Sequence, residues 1–135
     1  MDDLSKLQLS RLAKFRCQLR KFLAVAENNA RDSGVTPQQY QAILSICAFD
    51  DRDWATVGEV AHALQLRHHA ASELLNRCEE AGLVIRIRGG LNDRRQVRVS
   101  LTDKGTEILH IVAKQNVREL QELREILDNL AHYLS

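Results

Sequence analysis

Residues 82–102 read GLVIRIRGGLNDRRQVRVSLT, and their pattern is the most informative in the chain. Apolar and polar residues alternate in VIRIR and again in QVRVSL, which is the two-residue period of β-strands. Between them, Gly89-Gly90 and Asn92 are typical turn residues. The stretch predicts a two-stranded hairpin. We expect its paired apolar face to comprise Ile85, Ile87, Val97, Val99 and Leu101. We expect its outward face to carry Arg86, Arg88 and Arg98.

This stretch also concentrates positive charge. It holds five arginines, whereas the whole chain of 135 residues has a net charge of only +1. Duplex DNA carries about one negative charge for every 1.7 Å of its axis, so a local basic edge matters more for DNA affinity than the total charge. The hairpin therefore favours a polyanionic partner.

Two short helices are predicted immediately before the hairpin. Thr56-Val57-Gly58-Glu59 has the spacing of a capping box at the start of the first. The second runs through HHAASELLNRCEEAG and ends at Gly82, a residue that tolerates the left-handed conformation of a helix end. Helix, tight turn, helix and hairpin is the order of a winged helix-turn-helix, whose second helix enters the major groove, about 12 Å wide.

Longer helices are predicted on both sides of this unit. Apolar residues recur at helical spacing from Leu4 to Ala26, and the first helix should end near Ser33-Gly34. Thr36-Pro37-Gln38-Gln39 then starts a helix that carries Tyr40. The last helix follows Thr102 and keeps heptad-like leucine spacing to Leu134, broken only at Asn116. This stripe is too long for a small core to cover, which predicts a second subunit.

Composition limits the class of protein. The chain is 44% hydrophobic and 27% charged, as expected of one globular domain, and its 4% aromatic content favours helices. Without a long apolar run or a signal-peptide pattern at the start, we expect a cytoplasmic protein. Three widely spaced cysteines indicate reduced thiols. Seven basic and four acidic residues lie in 1–36, against three and five in 106–135, so the two ends are expected to attract each other.

Four stretches resemble the MarR family of bacterial transcription regulators: GVTPQQYQAIL, TVGEVAHAL, EEAGLV and DRRQVRVSLTDKG. The family's most specific motif matches Asp93, Arg95, Leu101, Thr102 and Gly105. The resemblance implies a mostly α-helical fold with a small hairpin wing. It also implies a single domain over 1–135, with dimerisation helices in 1–33 and 106–135 and a DNA-binding lobe in 36–105. Its members are typically homodimers that bind an inverted-repeat operator, usually as repressors released by a ligand or by oxidation.

The expected DNA contacts fall into two groups. On the hairpin, we expect Arg95, held by Asp93, to enter the minor groove, and Arg94 and Arg98 to contact phosphates. Arg86 and Arg88 either contact DNA or keep the hairpin soluble. On the second helix, Glu73 repels phosphate but can accept a hydrogen bond from a cytosine amino group. The expected residues at this helix are Arg67, His68, His69, Ser72, Glu73, Asn76 and Arg77.

Other residues have two interpretations each. Cys17, among cationic neighbours, is either an oxidisable sensor or a structural thiol. Tyr40 and Trp54 either line a pocket for a small aromatic effector or pack in the core. Histidines His68 and His69 point about 100° apart and no carboxylate completes a ligand set at i+4 spacing, so no metal site is predicted. A contact with phosphate at the start of the helix is the plainer interpretation of both. The residues expected at the dimer interface are Leu12, Phe15, Leu120, Leu123, Leu127 and Leu130.

The motifs that an enzyme would need are missing from the sequence. No glycine-rich phosphate loop follows a strand, and no nucleophile has a base within the same motif, so neither an enzyme nor a cofactor is predicted. The alternative to a DNA-binding regulator is a winged-helix module that docks a protein partner and leaves DNA alone.

Overall fold

The computed structural model describes residues 3–88 and 96–134. Within these ranges two long helices enclose a helix-turn-helix unit and a small sheet. The elements, in chain order, are α1 (Lys6–Asp32), α2 (Pro37–Ile46), β1 (Trp54–Thr56), α3 (Val57–Leu64), α4 (His68–Glu80), β2 (Val84–Arg88), β3 (Val97–Leu101) and α5 (Asp103–Leu134). The mostly α-helical fold expected from the sequence is confirmed.

Local capping accounts for most helix boundaries. The hydroxyls of Thr36 and Thr56 each accept a hydrogen bond from the backbone amide three residues later. In return, the backbone amides of the two threonines donate to the side chains of Gln39 and Glu59, so both predicted capping boxes are confirmed. Ser5 and Gln8 form a third, which starts α1. The tight turn between α3 and α4 passes through Gln65, whose φ of 56° is left-handed, and turns the chain within three residues.

The sheet has three strands, in the order β1-β3-β2, with both pairs antiparallel. The predicted two-stranded hairpin therefore lacked a strand. No strand was predicted over Trp54–Thr56, but these residues pair with Ser100, Val99 and Arg98. Three residues are too few to show a period of two, and the strand exists because β3 offers its free edge.

The predicted faces of β2 are wrong at Ile85, Arg86 and Ile87, whereas Arg88 at the end of the strand is exposed as predicted. Arg86 pairs with Val99 and shares its inward face, whereas Ile85 and Ile87 are 46% and 53% exposed. The parity is set at Val84, which is buried immediately after the end of α4. Because side chains alternate along a strand, burial of Val84 turns Arg86 inward and both isoleucines outward. Arg98, opposite Ile87, does face outward as predicted.

The two terminal helices pack along each other. Gln18 of α1 donates a hydrogen bond to the Glu122 carboxylate of α5 at 2.9 Å, and Lys21 lies 3.9 Å from the same carboxylate. The expected attraction between the basic amino end and the acidic carboxyl end is confirmed. This packing nevertheless leaves much of the apolar stripe exposed. The exposed large apolar residues on the two helices are Leu4, just before α1, and Leu7, Leu9, Leu12, Leu23, Ile111, Val117, Leu120 and Leu127.

A buried polar cluster joins the helix pair to α2. Asn116, the residue that interrupts the leucine stripe, accepts a hydrogen bond from the Asn29 amide at 2.9 Å and donates one to the Tyr40 hydroxyl at 3.3 Å. Asn116 is 6% exposed. A buried amide that loses a partner is costly, so the cluster fixes the register of α1, α2 and α5.

The start of α5 is pressed against the end of α4. Gly105 lies in the first turn of α5, and a Cβ atom there would be 2.1 Å from the carbonyl oxygen of Leu83. The same oxygen accepts a hydrogen bond from the Thr102 amide, and the Thr102 hydroxyl donates to the carbonyl of Gly82. The Thr-x-x-Gly element thus holds two backbone segments in direct contact.

Candidate nucleic-acid interface

Helix α4 has one buried and one exposed face. Ala71, Leu74, Leu75 and Cys78 are buried in the core. The opposite face presents the polar residues named as DNA contacts. His68, His69, Glu73, Asn76 and Arg77 are exposed there, and Ser72 is half-buried. The arrangement matches a recognition helix, whose polar face is left free for a groove.

The beginning of α4 is left open to a ligand. Arg67 is the N-cap residue and makes no side-chain hydrogen bond to the helix, unlike Ser5, Thr36 and Thr56. Its guanidinium carries positive charge at an end where the helix dipole is also positive. This end of α4 therefore attracts anions.

The start of α4 and the base of the wing lie on the same side of the molecule. They line one cleft of about 220 Å³, to which α4 contributes His68 and the wing base contributes Gln96 and Val97. The first residues of α3, Val57 and Gly58, form its other wall. The helix and the wing can thus meet one extended partner together.

Of the three wing arginines predicted to contact DNA, Arg98 is the one that lies within the described residues. It lies on the outer face of β3, and its Nε donates a hydrogen bond to the Gln96 side chain at 3.3 Å. The other three wing residues named from the sequence, Asp93, Arg94 and Arg95, lie outside the described residues. Their contacts with DNA remain predictions.

Arg86 connects the wing to α4, a role that sequence reasoning missed. Its guanidinium donates a hydrogen bond to the carbonyl oxygen of Ser72, and its backbone amide donates to the Glu79 carboxylate at 3.2 Å. The Nε atom of Arg86 is buried without a partner among the described residues. The side chain therefore fixes the angle between wing and helix and is not a free cation on the surface.

A second arginine whose role was not predicted, Arg52, lies beside the wing. The Arg52 guanidinium is 3.7 Å from the centre of the Phe49 ring and 4.3 Å from that of Trp54. It is also paired with both carboxylate oxygens of Glu59. This hydrogen bonding, above all, lowers the pKa of Glu59. The signal in the sequence was an arginine between two aromatic residues in FDDRDW.

A larger, mostly apolar cavity lies between the helix pair and α2. It measures about 450 Å³, within the usual range for small-molecule sites. Tyr40 lines it, as the pocket interpretation required, and Asn116 adds a second polar group. Trp54 is not among its lining residues and lies instead against Arg52 and Arg98, so the prediction that Trp54 shares this pocket disagrees with its position.

The three cysteines are free thiols in different surroundings. Cys17 is exposed and lines a cleft of about 240 Å³ between α1 and α5, together with Arg11 and Lys14. Cys78 is buried in α4, and burial raises its pKa to about 11 although the Arg86 charge opposes this. Cys78 is therefore a packing residue, and Cys17 is the thiol that the sequence singled out.

Over residues 3–88 and 96–134, no group of three or more His, Cys, Asp or Glu side chains is placed to hold a metal ion. No helix in the same ranges combines the length and apolar character that a bilayer crossing requires.

Comparison with known proteins finds one family repeatedly. The MarR family model matches residues 33–96. A MarR family protein from Bacillus stearothermophilus is 26% identical over 90% of this chain and 82% of its own, with a TM-score of 0.65. AbsC, a MarR family transcriptional regulator from Streptomyces coelicolor, is 22% identical, covers 99% of this chain and 98% of its own, and has a TM-score of 0.70.

A third similar structure contains nucleic acid. It is a point mutant of MepR from S. aureus bound to an oligodeoxyribonucleotide, with 20% identity, a TM-score of 0.65, and coverage of 98% of this chain and 97% of that one. None of the curated proteins searched matches the chain. The family model covers α2 through β2, the likeness to solved structures runs along nearly the whole chain, and together they support a MarR family winged-helix regulator.

Proposed function

We propose that this protein is a sequence-specific regulator of transcription that binds double-stranded DNA as a homodimer. The observation that carries the proposal is the shared cleft of His68, Gln96 and Val97, because it puts the recognition helix and the wing on one surface. The match to the MarR family model and the likeness to the DNA-bound MepR structure support the same function.

Each part of this surface has a separate task in the proposal. The exposed face of α4, which carries Asn76 and Arg77, reads base edges in the major groove. Arg67 and Arg98 contact phosphates, which fix the register without reading sequence. Arg94 and Arg95, with Asp93, extend the contact into the neighbouring minor groove.

DNA binding is tested with a labelled duplex from the region upstream of the protein's own gene. Fluorescence anisotropy should show tighter binding than to a duplex of scrambled sequence, and the affinity should fall steeply with salt because phosphate contacts release counterions. The double variant Arg94→Ala/Arg95→Ala should weaken binding at least tenfold. Arg31→Ala, at an exposed arginine of α1, is the matched control and should leave affinity unchanged. Weak binding that ignores sequence would refute the proposal.

The homodimer is supported by the apolar surface that α1 and α5 leave uncovered. Leu12, Leu120 and Leu127 are all exposed, and Phe15 and Leu123 are half-buried. Only Leu130 of the predicted interface residues is already buried within the subunit. A two-fold axis through these helices would place two recognition helices for successive major grooves, about 34 Å apart or a multiple of that.

Leu12→Asp combined with Leu127→Asp tests the dimer by analytical ultracentrifugation. The double variant should sediment as a monomer, since a carboxylate in an apolar interface is costly. Gln121→Asp adds one carboxylate at an exposed polar position of α5 and should stay dimeric. A double variant that remains a dimer would show that the interface lies elsewhere.

Regulation is proposed to use the cavity beside Tyr40. A small aromatic effector bound there would contact α1, α2 and α5 and so change the spacing of the two recognition helices. A coupling free energy of about 1–3 kcal/mol is enough to weaken DNA binding about 5- to 150-fold. Oxidation of Cys17 is the alternative trigger, and release of DNA in either case makes the protein a repressor. Cys17→Ser separates the two, because it abolishes release by peroxide but not release by an effector.

A second candidate function is favoured by one observation. Ile85 and Ile87 are exposed on the outer face of the wing, where an apolar surface suits a protein partner. A protein-docking module should keep its function in Arg94→Ala/Arg95→Ala and lose it in Ile85→Ser/Ile87→Ser. A DNA-binding regulator should show the opposite pattern.

A further inference from the structure

Trp54 lies beside two guanidinium groups at the base of the wing. The Arg98 Cζ is 4.0 Å from the centre of the Trp54 ring, and the Arg52 Cζ is 4.3 Å from it. Both distances are within the roughly 6 Å over which a ring attracts a cation, and an indole is the strongest such ring in proteins. The indole therefore restrains two arginines from different segments of the chain.

The two arginines differ in how their charge is balanced. Arg52 is paired with the Glu59 carboxylate, so its charge is neutralised within the fold. Arg98 has no ion pair among the described residues, and its Nε hydrogen bond goes to the uncharged amide of Gln96. Arg98 is thus held in place while its charge stays available to an anion outside the protein.

The position of Arg98 in the fold indicates which anion its guanidinium would bind. Across the sheet it pairs with Thr56, the N-cap of α3, and two residues before it Gln96 lines the cleft shared with His68. Arg98 is therefore next to the place where α3, α4 and the wing meet. We propose that Trp54 is a positioning residue that presents the Arg98 guanidinium to a phosphate of bound DNA. This role rests on the proposed function.

The physical benefit is that Arg98 loses little freedom when DNA arrives. A long side chain that moves freely in solution must be immobilised on binding, and one already held over an indole has lost part of that freedom. Trp54 is anchored in turn, because β1 pairs with β3 and Arg52 is fixed by Glu59. Because Trp54 is fixed in the sheet, its ring restricts the motion of the Arg98 side chain.

A double-mutant cycle tests the proposal with the operator duplex of the wild-type protein. Trp54→Leu should weaken binding about two- to fivefold, the usual worth of an exposed cation–ring contact. Arg98→Gln should also weaken binding and lower the slope of log affinity against log salt by about one, as expected for one lost phosphate contact. In the Arg98→Gln background, Trp54→Leu should have less than a twofold effect.

Trp54→Phe keeps an aromatic face and should retain most of the affinity. Melting temperatures of all variants show whether any loss reflects unfolding. If Trp54→Leu weakens binding equally with and without Arg98, the two residues act independently and the positioning role is overturned while the proposed function stands.

A spectroscopic readout does not depend on affinity. Trp54 is the single tryptophan of the chain, so the fluorescence of the protein reports on the surroundings of this one ring. Arg98→Gln should change the emission of the free protein, and unlabelled operator should shift the emission of wild type but not of Arg98→Gln. Identical spectra of the two free proteins would overturn the contact itself. Absence of duplex binding by wild type would instead refute the proposed function and this role together.

Discussion

Replacing Gly105 with alanine should destabilise the protein, although alanine is the better helix former. The new Cβ atom would lie 2.1 Å from the Leu83 carbonyl oxygen, and this oxygen belongs to the backbone and cannot swing away. Relief of the overlap requires α5 to move by more than about 1 Å, since a carbon and an oxygen atom need at least roughly 3.2 Å. Such a shift would also lengthen the hydrogen bond from the Thr102 amide to Leu83.

The magnitude follows from three contributions. Overpacking costs about 1–3 kcal/mol, and the weakened hydrogen bonds of Thr102 add about 1–2 kcal/mol. Alanine returns about 1 kcal/mol through its higher helix propensity. Together these contributions give a loss of about 1–4 kcal/mol of unfolding free energy for Gly105→Ala, and the middle of this range corresponds to roughly 10 °C in melting temperature.

Urea unfolding followed by circular dichroism measures this loss, with all variants at equal protomer concentration because dimerisation contributes to stability. Gly58→Ala is the matched control. It lies in α3, where a Cβ atom would meet nothing closer than 3.9 Å, so its stability should stay the same or rise by up to about 1 kcal/mol. If Gly105→Ala unfolds within about 0.5 kcal/mol of wild type, the close approach of α5 to Leu83 is not a steric requirement of the fold.

Three further predictions concern the polar and thiol groups. Because Arg52 lowers the pKa of Glu59, the stability that this carboxylate contributes is present above the ordinary carboxyl range and is lost as pH falls through its lowered value. Glu59→Gln should thus be about 1 kcal/mol less stable than wild type at pH 7, and melting curves should converge once the pH lies below the lowered pKa of Glu59; a constant difference would contradict this. With a pKa of about 11 and no exposed surface, Cys78 should resist a thiol reagent at pH 8 until the protein unfolds, whereas exposed Cys17 reacts at once; rapid labelling of Cys78 would show that α4 opens readily. Asn116→Ala removes two buried hydrogen bonds and should cost about 2–3 kcal/mol in urea unfolding, more than Tyr40→Phe; equal losses would argue against the cluster.

Much of the fold follows from local chemistry and was predictable. Capping boxes at Thr36 and Thr56 and the left-handed glycines near 34 and 82 mark helix ends through contacts a few residues apart. The exposed polar face of α4 was also predictable, because helical periodicity separates it from Leu74 and Leu75. What these features share is that both partners of each interaction lie within one or two turns of chain.

Contacts between distant segments were decided only by the tertiary structure. The pattern in VIRIR fits either face of a strand, and burial of Val84 after α4 selected the face that turns Arg86 toward Ser72. Strand β1 is too short to have a pattern of its own and forms because β3 offers an edge. Trp54 therefore lies at the base of the wing and not in the expected effector pocket.

Residue type and spacing alone set the order of the helices, their amphipathic faces and the charge of the wing. The tertiary structure decided which charges remain available. Arg52, Arg86 and Arg98 are indistinguishable as residues, yet one is neutralised by Glu59, one binds a backbone carbonyl and one is held over an indole without an ion pair among the described residues. The physical reason is that the availability of a charge depends on its neighbours in space, and most of those neighbours come from other elements of the fold.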